Sequence, residues 1–164
     1  MEREISAGGV VVRPAAEGWE VAVIEPKREP PAGTAKGKRW QKMLLALPKG
    51  LVDAGEKAEQ TAVREVAEET GLAATCEAKL GDIKYVYVRT WGDQQRVFKI
   101  VSFYLLRYES GTIDQIAPEM RIEVKRALWI TLADAERKLA YKGERDMVRR
   151  AREYLQAHSG TSLG

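Results

Sequence analysis

Glu65, Glu68 and Glu69 lie within a single helical turn's reach of one another. On a helix, positions i, i+3 and i+4 share one face, so three carboxylates would project together. Like charges at that spacing repel, by roughly a few tenths of a kcal/mol per pair in an isolated helix. Arg64, four residues before Glu68, offsets part of this repulsion. A hard divalent cation is the natural complement of the remainder. Mg²⁺ takes oxygen ligands, keeps several waters and bridges to phosphate groups. A solvated acidic face is the plain alternative, because charge runs on helices are commonly that.

The surroundings favour the metal. The stretch GLVDAGEKAEQTAVREVAEETGL runs from Gly50 to Leu72 and contains Gly50, Glu56, Arg64-Glu65, the apolar Val66, Glu68-Glu69, Gly71 and the apolar Leu72. It resembles the signature of the Nudix hydrolase family at every specified position. That resemblance implies an α/β fold, a Nudix-type α/β/α sandwich with a mixed β-sheet. It implies that Glu65, Glu68 and Glu69 bind a divalent metal, Mg²⁺ or Mn²⁺ in its place. Gly50 would sit at a turn where the backbone approaches the metal, with the Lys49 carbonyl as an added ligand. Arg64 and Glu56 match a pair that holds the loop against the helix. Glu65 or Glu69 would help a water lose its proton. A further loop carboxylate is expected before the last core strand, with Glu123 preferred to Glu119 on spacing. The implied reaction cuts a pyrophosphate bond in a nucleoside diphosphate linked to X, without a protein nucleophile. The only histidine, His158, falls near the C-terminus, and no Ser-His-Asp or Cys-His pattern is evident.

The substrate is less sharply written. Leu47-Pro48-Lys49-Gly50 and Tyr141-Lys142-Gly143-Glu144-Arg145 look like the subgroup that hydrolyses diadenosine tetraphosphate to ATP and AMP. A long phosphate chain needs several cations, and Lys36, Lys38, Arg39, Lys42 and Lys49 are available, with Arg96 and Lys99 as further candidates. Trp40, Tyr85, Tyr87 and Tyr141 could stack on a base, Tyr87 and Tyr141 being the two taken as substrate contacts. The alternatives are a nucleoside triphosphate pyrophosphohydrolase, an enzyme acting on ADP-ribose, capped RNA or diphosphoinositol phosphates, and a module that binds without cleaving. An isomerase on the same fold would use a cysteine, yet Cys76 reads more simply as a buried thiol.

These residues need elements to position them. Ile5–Arg13 and Trp19–Glu25 read as a strand hairpin, and 26–42 as a loop broken by Pro26, Pro30, Pro31, Gly33 and Gly37. Met43–Leu47 is a short apolar run. Lys57–Thr70 has helical periodicity and stops at Gly71, a left-handed C-cap. Val63, Val66, Ala67 and Thr70 are its expected core side, with Ala58 and Ala62 on the carboxylate side. Thr75–Arg89 and Gln95–Glu109 form a second strand pair around Trp91-Gly92-Asp93. A strand over Ala127–Thr131 and helices over Leu132–Leu139 and Glu144–Ala157 complete the chain. Residues 1–158 are read as one domain and 159–164 as a fraying tail.

The chain has 164 residues, 45% hydrophobic and 31% charged, which suits one globular domain with a core and argues against disorder. A net charge of +3 suits a polyanionic small molecule but is too weak to imply nucleic acid. With one cysteine and no long apolar run, the expectation is a cytoplasmic protein with no membrane or nucleic-acid partner, acting as monomer or homodimer.

Overall fold

The computed structural model describes residues 2–27, 44–89, 92 and 94–159. Lys36, Lys38, Arg39, Trp40 and Lys42 therefore lie outside the described residues, as do Trp91 and Asp93 of the expected turn and residues 160–164 of the expected tail.

The elements follow in the order β1 (Glu2–Ala15), β2 (Gly18–Pro26), β3 (Lys49–Leu51), α1 (Ala58–Thr70), β4 (Leu72–Val88), β5 (Arg96–Gly111), β6 (Val124–Thr131), α2 (Leu132–Lys138) and α3 (Lys142–Ser159). A 3₁₀ turn over Pro118–Ile122 precedes β6. The sheet runs β4-β5-β1-β2-β6, with β3 added beside β1. The β1–β5 pair is parallel and the others are antiparallel, which makes the sheet mixed.

Successive strand side chains point to opposite faces, and the valine-rich strands use both. Val10, Val12, Val21, Val23, Phe103 and Leu105 pack with Leu132, Leu139, Val148 and Leu155 under α2 and α3. Val11, Ala22 and Leu106 pack with Ala62 and Val66 of α1 on the other face. Two helical layers thus enclose the sheet, and each fully buried valine contributes roughly 1.5–3 kcal/mol of transfer free energy.

The two ends of α1 are fixed locally. The Lys57 N–H donates to Gln60 Oε1 at 2.8 Å at the start. Gly71 closes the helix at φ 85°, a conformation in which a β-carbon is strained, and its N–H donates to the Ala67 carbonyl. The buried face of α1 runs through Thr61, Ala62, Glu65, Val66, Glu69 and Thr70. This corrects the expected core side: Ala67 is exposed and Val63 only half-buried. The helix is rotated because β3 and β1 cover the very side that carries Glu65 and Glu69.

β3 was not foreseen as a strand. It forms because β1 has a free edge over Ser6–Gly8, which pairs with Lys49–Leu51, before β1 turns to β2 over Val12–Ala15. Between them the Gly9 N–H donates to the Pro48 carbonyl at 3.2 Å. No helix among the described residues is long and apolar enough to cross a membrane.

Candidate active site

The site is assembled where β3 passes beneath α1. A β-carbon on Gly50 would sit 2.1 Å from the Glu65 carboxyl carbon, so the carboxylate as placed here lies against a backbone that carries no side chain. One residue earlier, the Lys49 N–H donates to Glu69 Oε1 at 3.3 Å. Glu65 and Glu69 are 8% and 7% exposed, unusual for carboxylates without full charge pairing.

Burial dominates their chemistry. It pushes the Glu69 carboxyl up to about 9, with the neighbouring Glu65 charge adding to the effect. Burial also raises Glu65, and the charge on Glu68 raises it further, while Arg64 opposes the rise. The pair therefore retains a proton that ordinary carboxylates would lose, as expected for two acids sharing a poorly hydrated space.

Glu68 behaves differently. It is exposed and turned toward Arg64 Nη1 at 3.3 Å. Among the described residues, no three Asp, Glu, His or Cys side chains converge on one point as a cation cage. The donor chemistry still fits a hard divalent cation: oxygens only, two of the carboxylates desolvated, and excess negative charge on one helix. Glu68 lines the same cavity as Glu65 and Glu69.

Arg64 is the hub of the preceding loop. Its Nε and Nη2 grip Glu56 at 2.8 and 2.9 Å, its Nη1 donates to Glu65 Oε2 at 2.9 Å, and Nη2 also reaches the Leu51 carbonyl at 3.1 Å. The fork holds Glu56 down to about 2, assisted by the Thr61 hydroxyl. The same contacts raise Arg64 itself, the hydrogen bond to Glu56 most of all. A planar guanidinium can serve these partners at once, and an ammonium cannot.

Above the carboxylates lies a cavity of about 560 Å³. Gly50, Glu65, Glu68 and Glu69 form one wall, and Lys49, Lys99, Tyr141 and Glu123 also face it. Glu119 is not among its lining residues. A second cavity of about 440 Å³ adjoins it across Lys49 and Tyr141, lined by Ile83, Tyr85, Val101, Phe103 and Glu144. Tyr87 lines neither cavity. It lies beyond Tyr85 on the same side of β4, ring centroids 6.3 Å apart, and its hydroxyl meets Glu4. Tyr85, Val86 and Val88 are all exposed at this end of β4. Cys76 is half-buried rather than buried, and burial raises its thiol, which is the opposite of an activated nucleophile. Asp53 and Glu144 are cleft residues that sequence reasoning assigned no role. Asp53 reaches Arg64 at 3.4 Å.

The chain is 36% identical over 154 residues to the Mycobacterium tuberculosis protein named "Putative mutator protein MutT4", covering 93% of this chain and 56% of that protein. The chain thus spans about half the length of that relative. Among solved structures, a Caenorhabditis elegans Ap4A hydrolase in a binary complex has a TM-score of 0.66 at 21% identity, covering 94% of this chain and 98% of that one. The NUDIX domain of Shewanella oneidensis NrtR, complexed with ADP ribose, has a TM-score of 0.62 at 21% identity, covering 94% of this chain and 90% of that one. Residues 3–151 match the model of the NUDIX domain, and the chain belongs to that family.

Proposed function

We propose that this protein is a divalent-metal-dependent pyrophosphohydrolase, cleaving a nucleoside diphosphate linked to X, with diadenosine tetraphosphate to ATP and AMP as the favoured reaction. The observation that carries the reading is the buried Glu65–Glu69 pair, pressed against the Gly50 backbone at the wall of a cavity that Lys49 and Lys99 also face. When bound, by Glu65, Glu68, Glu69 and the backbone at Gly50, Mg²⁺ or Mn²⁺ supplies charge neutralisation for phosphate oxygens and Lewis acidity for the attacking water.

The chain's own groups do the rest. With a bound cation in place of the proton that the metal-free pair retains, Glu69 or Glu65 would accept the proton of the attacking water. Arg64 orients Glu65 through its 2.9 Å contact and fixes the loop through Glu56. Lys49 and Lys99 bind phosphate oxygens, and Tyr141, 48% exposed at the boundary of the two cavities, offers a face for a base. Glu123 faces the cleft opposite the helix carboxylates, where it can hold a water or complete the cation's ligands. The two adjoining cavities support a substrate with two bulky ends. The basic segment holding Lys36, Lys38, Arg39 and Lys42 supports a long phosphate chain.

A second reading has its own support. The relative matched along almost the whole chain carries a mutator-protein name, which favours a nucleoside triphosphate pyrophosphohydrolase. A product assay decides between them: purified protein with Mg²⁺ or Mn²⁺ is offered diadenosine tetraphosphate, canonical and oxidised nucleoside triphosphates, and ADP-ribose, with Glu69→Gln as control. ATP plus AMP formed at the highest kcat/KM supports the first reading. Preference for a triphosphate supports the second. No metal-dependent cleavage by the wild type would sink both.

A further inference from the structure

Glu144 stands in the first turn of α3, remote in sequence from the Gly50–Leu72 stretch, yet it is only 3% exposed. Its Oε1 accepts from the Leu47 N–H at 2.8 Å, and its Oε2 takes Lys49 Nζ at 3.2 Å. The N–H of that same lysine donates to Glu69. One residue therefore joins α3 to the buried carboxylate pair of α1. The nearby backbone is sewn to match: the Ala140 N–H donates to the Leu45 carbonyl at 3.0 Å, and Arg145 Nη1 donates to the Leu139 carbonyl at 2.8 Å.

A buried carboxylate is costly unless its charge is matched. Here the match is a lysine on a flexible stem whose backbone already touches Glu69. Left without a partner, that ammonium could fold onto the buried Glu69, which the same residue's backbone already touches. A cation at the carboxylates would then have to displace it.

We infer that Glu144 is a positioning residue that holds the Lys49 ammonium at the wall between the two cavities and keeps it off the helix carboxylates, leaving them open to a metal ion. The inference rests on the metal-dependent reading proposed above, but its test needs no turnover. Mn²⁺ binding is titrated by calorimetry in wild type, Glu144→Gln, Lys49→Met and the double variant, with thermal unfolding run alongside. Glu144→Gln retains an acceptor for the Leu47 N–H and removes only the charge. It is expected to weaken Mn²⁺ binding about tenfold, the size usual for groups that orient metal ligands. Removing the lysine as well should restore the affinity to near wild type, and Glu144→Asp, which keeps the charge, should also stay near wild type. A merely structural role would not be rescued by deleting Lys49. Unchanged affinity in Glu144→Gln, or a double variant as weak as Glu144→Gln, overturns the inference while leaving the proposed function standing. A wild type that binds no Mn²⁺ overturns both. Should Glu144→Gln fail to fold, Glu144→Asp and the double variant carry the test, and weak binding in both again overturns it.

Discussion

Gly50→Ala isolates the contact on which the site depends. The added β-carbon would lie 2.1 Å from the Glu65 carboxyl carbon and 2.2 and 2.4 Å from its oxygens. Non-bonded carbons come to rest roughly 3.5 Å apart, so the carboxyl must retreat by about 1.4 Å. It cannot do so freely, because Arg64 holds one oxygen at 2.9 Å and the group is buried. A 1 Å misplacement of a reacting group can cost about 10²-fold in rate, or roughly 2.7 kcal/mol in the barrier. The expected result is a kcat loss of about that size at saturating Mg²⁺, measured on the best substrate. Gly55→Ala supplies the contrast: nothing lies within 4 Å of its β-carbon, but φ is +78°. There the cost is about 1–2 kcal/mol of backbone strain in stability, with turnover retained. A Gly50→Ala enzyme within threefold of wild type would refute the claim that backbone contact places Glu65.

The Glu65–Glu69 pair also sets a pH dependence. With Glu69 raised to about 9 from an ordinary 4.5, the folded state holds a proton that the unfolded chain releases. The contribution of Glu69 to metal-free stability should therefore be full below about pH 4.5 and be lost as pH rises toward about 9, by at most about 1.4 kcal/mol per unit for one proton. Urea unfolding in EDTA at pH 5.5 and 8.5 measures this, and saturating metal should flatten the slope; stability that rises with pH would contradict it. Arg64→Lys keeps the charge but loses the fork on Glu56, and should lower the urea midpoint of unfolding. Equal stability would show the fork to be idle. Neutralising Lys36, Lys38 and Arg39 together should raise KM for a tetraphosphate more than for a triphosphate, and equal losses would remove that segment from substrate binding. Glu65→Gln and Glu69→Gln should each abolish most turnover with the fold intact, as read by circular dichroism; wild-type rates in either would remove that residue from the chemistry.

The parts of the molecule governed by local pattern were readable in the sequence. Helical periodicity located α1 to within a residue, and Gly71 marked its end because few other residues accept that backbone angle. Strand alternation found both hairpins. What failed depended on contacts distant in the chain. Ala67 reads as core until β3 is known to cover the opposite side of α1, and β3 exists only because β1 leaves an edge free. Tyr85 and Tyr87 are equivalent by alternation, and only the position of α3 beside Ile83 places one at a cavity and not the other. Glu144 is one acid among many in a helix's first turn, and nothing local reveals its partners nearly a hundred residues away.

Ile24 and Ala46 exchange a pair of backbone hydrogen bonds, 2.8 and 2.9 Å long, across the base of the segment that separates them. The helix carboxylates Glu65, Glu68 and Glu69 lie outside the stretch of chain that this clasp of two bonds closes. Closing a loop twice as long at such a clasp adds only about 0.6 kcal/mol. Glu65, Glu68 and Glu69 and the sequence stretch that contains Lys36, Lys38, Arg39 and Lys42 thus lie on different sides of this clasp along the chain. On the proposed function, recharging that stretch would alter which phosphate chain is bound and leave the carboxylates that act on it unchanged.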